Sequence, residues 1–114
     1  MYNHKILFVM FLVLGLIGMI RDEGPVSPGD SYFIHVNVNN DGTKDLDDLR
    51  VRVLIYDLAT IFQSNSFDLD DDDTTGKFLF WDVPRYVQPG KYWARITVSN
   101  DDVREVTHRI ITIV

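Results

Sequence analysis

The last quarter of the chain alternates. After Pro89-Gly90, the residues Tyr92, Ala94, Ile96 and Val98 take one parity, and Trp93, Arg95, Thr97 and Ser99 take the other. A period of two in β-branched and aromatic residues marks a strand with one buried face. Ser99-Asn100-Asp101-Asp102 then interrupts the pattern. Asn and Asp side chains bond their own backbone and tolerate left-handed dihedrals, so this is a turn. A second run rich in Val, Ile and Thr reaches Val114. The chain therefore closes on a β-hairpin. A lone hairpin is marginal in water, so the upstream sequence must supply a second apolar surface.

It does so with more strands. Tyr32, Ile34, Val36 and Val38 alternate with Phe33, His35, Asn37 and Asn39. Val51, Val53 and Ile55 share a face opposite Arg50 and Arg52. Residues 61–67 read as a weak, polar edge strand, and 78–83 as another strand. Turn signals separate them: Asp41-Gly42, the acidic stretch 68–76, and the Pro-rich segment 84–90. No helical periodicity appears after Ile20. About seven short antiparallel strands with polar outward faces predict an all-β, immunoglobulin-like sandwich. Tyr92 follows a Pro-Gly turn and precedes Ala94 by two. That is where such folds place a corner tyrosine and a core position on the sixth strand.

The N-terminus is different. Residues 6–20 form an unbroken apolar run after a mildly basic start, and Arg21-Asp22-Glu23 ends it. As a helix of 1.5 Å rise it would reach ~22 Å, short against ~30 Å of hydrocarbon and suited to the apolar region of a signal peptide. Small residues for a cleavage site are missing apart from Gly15 and Gly18. The expectation is an N-terminal apolar helix or signal segment over 1–23, a linker over 24–30 and a sandwich over 31–114. The residues assigned to membrane or assembly contact are Ile6, Leu7, Phe8, Val9, Phe11, Leu12, Val13, Leu14, Leu16 and Ile17. Burial of the segment inside an assembly or the core is the alternative.

Seventeen acidic residues face eleven basic ones, giving a net charge of −6. Glu occurs only at Glu23 and Glu105; the rest is Asp. Asp belongs in turns more than in helices, which places the acid in loops. With antiparallel strands, the loops at 39–48, 68–76 and 99–103 gather at one pole of the sandwich. Crowded carboxylates must be screened or neutralised, and Ca²⁺ takes six to eight such oxygens. Asp68, Asp70 and Asp72 have the spacing that opens an EF-hand loop, with Asp101 and Asp102 as weaker additions. The EF-hand pattern then stops: Asp73 stands where Gly is required and Leu79 where Glu is. A solvated acidic rim is the alternative. Ca²⁺ is thus the one candidate cofactor.

Other chemistry is excluded or weak. There is no cysteine, hence no disulfide, thiolate metal site or thiol nucleophile. An acidic chain without a run of Lys or Arg is a poor nucleic-acid binder. His35 and His108 lie within strands, and no Gly-rich phosphate loop, His-Glu-x-x-His or Gly-x-Ser-x-Gly occurs. The chain is not expected to be an enzyme or to take a small-molecule substrate. By parity, Phe33, Tyr56 and Trp93 point away from the core, and exposed aromatics on a sheet mark a candidate interface.

Six stretches together carry a family likeness. They are Pro28-Gly29-Asp30; Val36-Asn37-Val38-Asn39-Asn40-Asp41-Gly42; Asp45-Leu46-Asp47-Asp48-Leu49-Arg50-Val51; Ser66-Phe67-Asp68-Leu69; Val87-Gln88-Pro89-Gly90-Lys91-Tyr92; and Ile96-Thr97-Val98-Ser99-Asn100-Asp101-Asp102-Val103-Arg104. Over residues 26–114 the chain resembles the immunoglobulin-like, CARDB-type modules of archaeal cell-surface proteins, notably of S-layer type. The resemblance implies an extracellular, structural or adhesive, non-catalytic module whose partners are copies of itself or other surface proteins. Two further readings stand beside it. One is a pilin-type subunit whose apolar N-terminus forms a filament core or complements a neighbour. The other is a Ca²⁺-dependent binding domain.

Overall fold

The computed structural model describes residues 15–114. Eight strands run in chain order: β1 (Ile17–Asp22), β2 (Ser31–Asn40), β3 (Leu46–Ile55), β4 (Thr60–Gln63), β5 (Phe67–Leu69), β6 (Asp73–Asp82), β7 (Gly90–Ser99) and β8 (Arg104–Ile113). A single 3₁₀ turn, Tyr56–Leu58, joins β3 to β4. Sheet A has the order β1-β2-β6, and sheet B the order β4-β3-β7-β8, with β5 also on β3. Every strand pair is antiparallel. The all-β antiparallel sandwich expected from alternation is therefore present, with one strand more than the sequence reading gives.

The parities hold. Tyr32, Ile34, Val36 and Val38 from β2 meet Val51, Val53 and Ile55 from β3 and Ala94, Ile96 and Val98 from β7, all buried. Phe62 crosses between the sheets, edge-on to Tyr32 (6.4 Å) and stacked on Trp81 (6.0 Å, 8°). Tyr92 closes the corner: its hydroxyl donates to the Gln88 carbonyl at 2.5 Å, and Ala94 is fully buried beside it. Ser27-Pro28-Gly29-Asp30 is a turn closed by Asp30 N–H to Ser27 O (3.0 Å). Gly29 sits there at φ +90°, the positive dihedral that the third residue of a type II turn requires.

The N-terminal boundary lies earlier than the sequence suggests. Leu16 is fully buried in the core, and Ile17–Asp22 is a strand on β2 and not a helix. Its assignment to a membrane or assembly segment is thus corrected for Leu16 and Ile17. Ile6, Leu7, Phe8, Val9, Phe11, Leu12, Val13 and Leu14 lie outside the described residues. An unbroken apolar run has no period, so nothing in it separates a strand half-buried in a sandwich from its neighbours.

Nor is 24–30 a free linker. Val26 forms a parallel bridge with Ile113, through Val26 N–H to Thr112 O (3.1 Å) and Val114 N–H to Val26 O (2.9 Å). The chain thus leaves sheet A after β1 and joins the β8 edge of sheet B. Two side chains of β8 complete this closure. Glu105 accepts from the Leu16 (3.3 Å) and Ile17 (2.5 Å) amides. Arg109 donates to Asp22 (3.3 Å) and to the Ile20 carbonyl (3.3 Å). Asp22 also accepts from the Tyr32 hydroxyl (2.7 Å) and the Gly24 amide (3.0 Å). Burial pushes the Asp22 carboxyl up, but the bonds from Tyr32, Gly24 and Arg109 outweigh it and hold the group below its ordinary value. Burial, then the Asp22 charge, pushes the Tyr32 phenol far up. Glu105 and Arg109 have inward parity on an edge strand, and β1 is what they meet there.

Candidate functional site

The three acidic loops do meet at one pole. Asp45 accepts from the Asp71 amide (2.9 Å), Asp68 from the Asp48 amide (3.0 Å), and Asn100 Nδ2 donates to the Asp47 carbonyl (2.9 Å). The loops are shorter than the sequence reading has them, because β6 begins at Asp73 and β3 at Leu46. Asp70 O accepts from Asp73 N–H (3.2 Å) in a tight turn, with Asp72 at φ +57°. This turn explains the Asp-x-Asp-x-Asp run. Asp68 belongs to β5 and is committed to a neighbouring backbone amide, while Asp70 and Asp72 lie in the turn beyond it. Asp101 and Asp102 flank a turn in which Asn100 Oδ1 accepts from the amides of Asp102 and Val103 (2.8 Å each). Among the described residues, no three acidic or histidine side chains converge to hold a metal ion. The side chains of Asp45, Asp68, Asp73 and Asn100 here serve the backbone.

The three aromatics singled out from sequence divide between two faces. Phe33 lies on the outside of sheet A, 6.1 Å from Phe80, near the contact of His35 with Phe78 (4.5 Å). Tyr56 and Trp93 come together on the outside of sheet B with His108. The Tyr56 hydroxyl and His108 Nε2 share a 3.0 Å hydrogen bond, and their rings lie within 16° of parallel. The Trp93 indole stands at 81° to the imidazole, with centroids 6.2 Å apart. Trp93 is 55% exposed and Tyr56 44%. Two rings form a floor and the third a wall, and Asp57 completes the lining.

Register makes a second feature. Arg50, Ser99 and Arg104 are paired in one row across β3, β7 and β8. Arg52, Thr97 and Val106 form the next, and Leu54, Arg95 and His108 the third. Lys91 lies further along β7 with the same parity. A chain of net charge −6 thus gathers five of its eleven basic residues on one sheet face. Arg52, Arg95, Arg104, Thr97 and Ser99 line a cavity of about 110 Å³. Arg52 Nε donates to Gln63 (2.9 Å), whereas Arg95 Nε is buried without a hydrogen-bond partner. Arg95 also lies over the Tyr56 ring, 5.8 Å from its centroid, so it joins the basic cavity to the aromatic platform. Each arginine alone reads as an ordinary outward residue. The hairpin turn at Asn100 fixes the pairing of Ser99 with Arg104, and counting back from it pairs Arg95 with His108. That signal was available in the sequence.

No protein-family model and no curated protein matches the chain. Solved structures do. The chain is similar to the CARDB domain of a Pyrococcus furiosus protein in its solution structure: TM-score 0.66, 22% identity, covering 83% of this chain and 90% of that one. The crystal structure of that domain, in complex with di-metal ions, gives 0.65 and 19% over 90% and 93%. A Niemann–Pick type C2 protein from the Japanese carpenter ant gives 0.62 at 8% identity, over 86% and 91%. At these identities the likeness is one of fold. It agrees with the resemblance carried by the sequence motifs over 26–114.

Proposed function

We propose that the chain is a non-catalytic cell-surface module that works by adhesion through the outer face of sheet B. The observation that carries this reading is the Tyr56, Trp93 and His108 platform, exposed on a rigid sheet beside a basic cavity. Buried polar groups and large aromatics are expensive to leave without partners, and such patches mark binding surfaces. The CARDB-like fold and the lack of a nucleophile–base pair in the sequence support a binding role over a catalytic one.

Export is the second part of the reading. With Leu16 and Ile17 given to the sandwich, the apolar run ahead of the fold is residues 6–14. Nine residues fall within the 7–15 of a signal-peptide apolar region and would reach only ~14 Å as a helix, too short to span a bilayer. Because Leu16 is core, a processed chain must start at or before Gly15. Mass determination of the N-terminus on native material, with protease shaving of intact cells, tests both points. Surface exposure and a start no later than Gly15 are expected; an unprocessed chain confined to the cytosol would sink the surface reading.

A further inference from the structure

Two observations on the outer face of sheet B point to one ligand class. The first is a cavity lined by Arg52, Arg95 and Arg104, none of which makes an ion pair with a described residue. Guanidinium groups so placed present fixed donors to a planar anion, and the buried, unpartnered Arg95 Nε is a donor awaiting an acceptor. The second is the platform of Tyr56, Trp93 and His108. Its ring faces suit the apolar C–H face of a flat, polyhydroxylated body, since aromatic faces carry partial negative charge and sugar C–H bonds partial positive. Asp57 on the rim offers a carboxylate acceptor. Arg95 belongs to both parts.

We propose that the basic cavity and the aromatic platform form one binding site for an anionic glycan. The ring of a sugar acid lies on the Tyr56 and His108 floor against the Trp93 wall, and its carboxylate is held by Arg95 with Arg52 behind it. The register gives the site its length. The row of Arg50 and Arg104 lies six residues along β7 from the row of Trp93, about 20 Å at strand rise, room for several sugar units.

The acidic pole decides the kind of anion. Asp48 and Asp101 line the groove that also holds Arg50 and Arg52. A densely charged partner, such as a nucleic acid or the acidic pole of a second copy, would be driven against these carboxylates. A ligand with a sparse charge and an uncharged ring body avoids that repulsion and uses the aromatic end as well.

The inference rests on the adhesion reading and names its ligand. The test is titration of the full chain with galacturonate hexamer, against cellohexaose as the neutral control and a sulfated dextran oligomer as the densely charged one. Trp93 fluorescence and the amide resonances of residues 93, 95 and 108 are followed. Galacturonate hexamer is expected to shift these signals and to weaken with added salt, and sulfated dextran to bind less tightly. The chain should bind cellohexaose at least about ten-fold less tightly than galacturonate hexamer. Trp93→Ala and Arg95→Gln, both on an outward face, should each reduce affinity by about ten-fold or more at an unchanged melting temperature. No response to galacturonate hexamer at about 10 mM, tighter binding of sulfated dextran than of galacturonate, or unchanged binding in Arg95→Gln, overturns the site. Salt-sensitive self-association abolished by Arg52→Glu, with no glycan response, assigns the face to a second copy and also overturns it. If Trp93→Ala removes cell-surface attachment while no glycan binds, the ligand assignment fails and the adhesion reading stands. A cytosolic chain that binds glycan in vitro refutes the adhesion reading alone.

Discussion

Replacing Asp22 by Ala tests whether β1 is part of the folded unit. The carboxylate serves three groups: the hydroxyl of Tyr32, a residue only 1% exposed; the Gly24 amide; and Arg109. Losing the acceptor for a buried hydroxyl costs about 1.5–3 kcal/mol, and the amide bond adds ~1. Arg109 is more than a third exposed, so its ion pair is screened and adds at most ~1. These terms share one group and do not sum fully; about 3 kcal/mol is expected. For a domain of this size that is a fall of roughly 15 °C in melting temperature. Asp22→Asn separates charge from contact. The folded carboxyl lies below its ordinary value, so the unfolded chain takes up its proton first as pH falls. The stability due to charge is therefore complete above about pH 4 and lost as pH drops through the folded value. Urea denaturation from pH 7 to pH 2.5 should show wild type converging on Asp22→Asn at the acid end. A melting temperature unmoved by Asp22→Ala would mean that β1 contributes nothing and that the domain starts after residue 23.

Other outcomes follow from single contacts. Tyr92→Phe removes only the hydroxyl bond to Gln88 and should cost about 1 kcal/mol, read as a lower denaturation midpoint with an unchanged slope; no change would remove the corner from the stability argument. Glu105→Ala should raise amide exchange at Leu16 and Ile17 while β7 stays protected; equal exchange in both chains would show that β1 does not depend on this staple. Because Asp45 and Asp68 are committed to backbone amides and no three acidic side chains converge among the described residues, Ca²⁺ and NaCl at matched ionic strength should raise the melting temperature equally. A larger rise with Ca²⁺ would restore a site at the pole.

Much of the sandwich is legible in the residues themselves. Where a strand has one wet face, alternation names the buried side chains; β2 obeys it throughout, β3 from Leu49 onward, and β7 apart from Thr97, which is buried on the outward parity. Tyr92 could be placed because its role depends on local spacing from a Pro-Gly turn. The acidic pole could be placed because antiparallel connection sends every second loop to the same end. β1 could not be delimited, since an apolar run offers no alternation and its partners, Glu105 and Arg109, lie more than 80 residues away. The hairpin turn gives the pairing of β7 with β8, but the placing of Arg50 and Arg52 beside them depends on the non-local pairing of β3 with β7. Arg50, Arg52, Arg95 and Arg104 belong to three strands, and only register sets them side by side. Composition averages over the chain; a sheet face selects from it.

The stitching of β1 and Val26 to β8 has a mechanical consequence. Gly15 lies against Asp41 at the acidic pole, and Val114 bonds to Val26 at the opposite one. β1 and β8 both run from the first pole toward the second. Tension between these two points acts along the strands and loads the inter-strand bonds in shear, all at once, with none at a free end to peel first. Pulled through residues 15 and 114, the domain should yield in one high-force rupture.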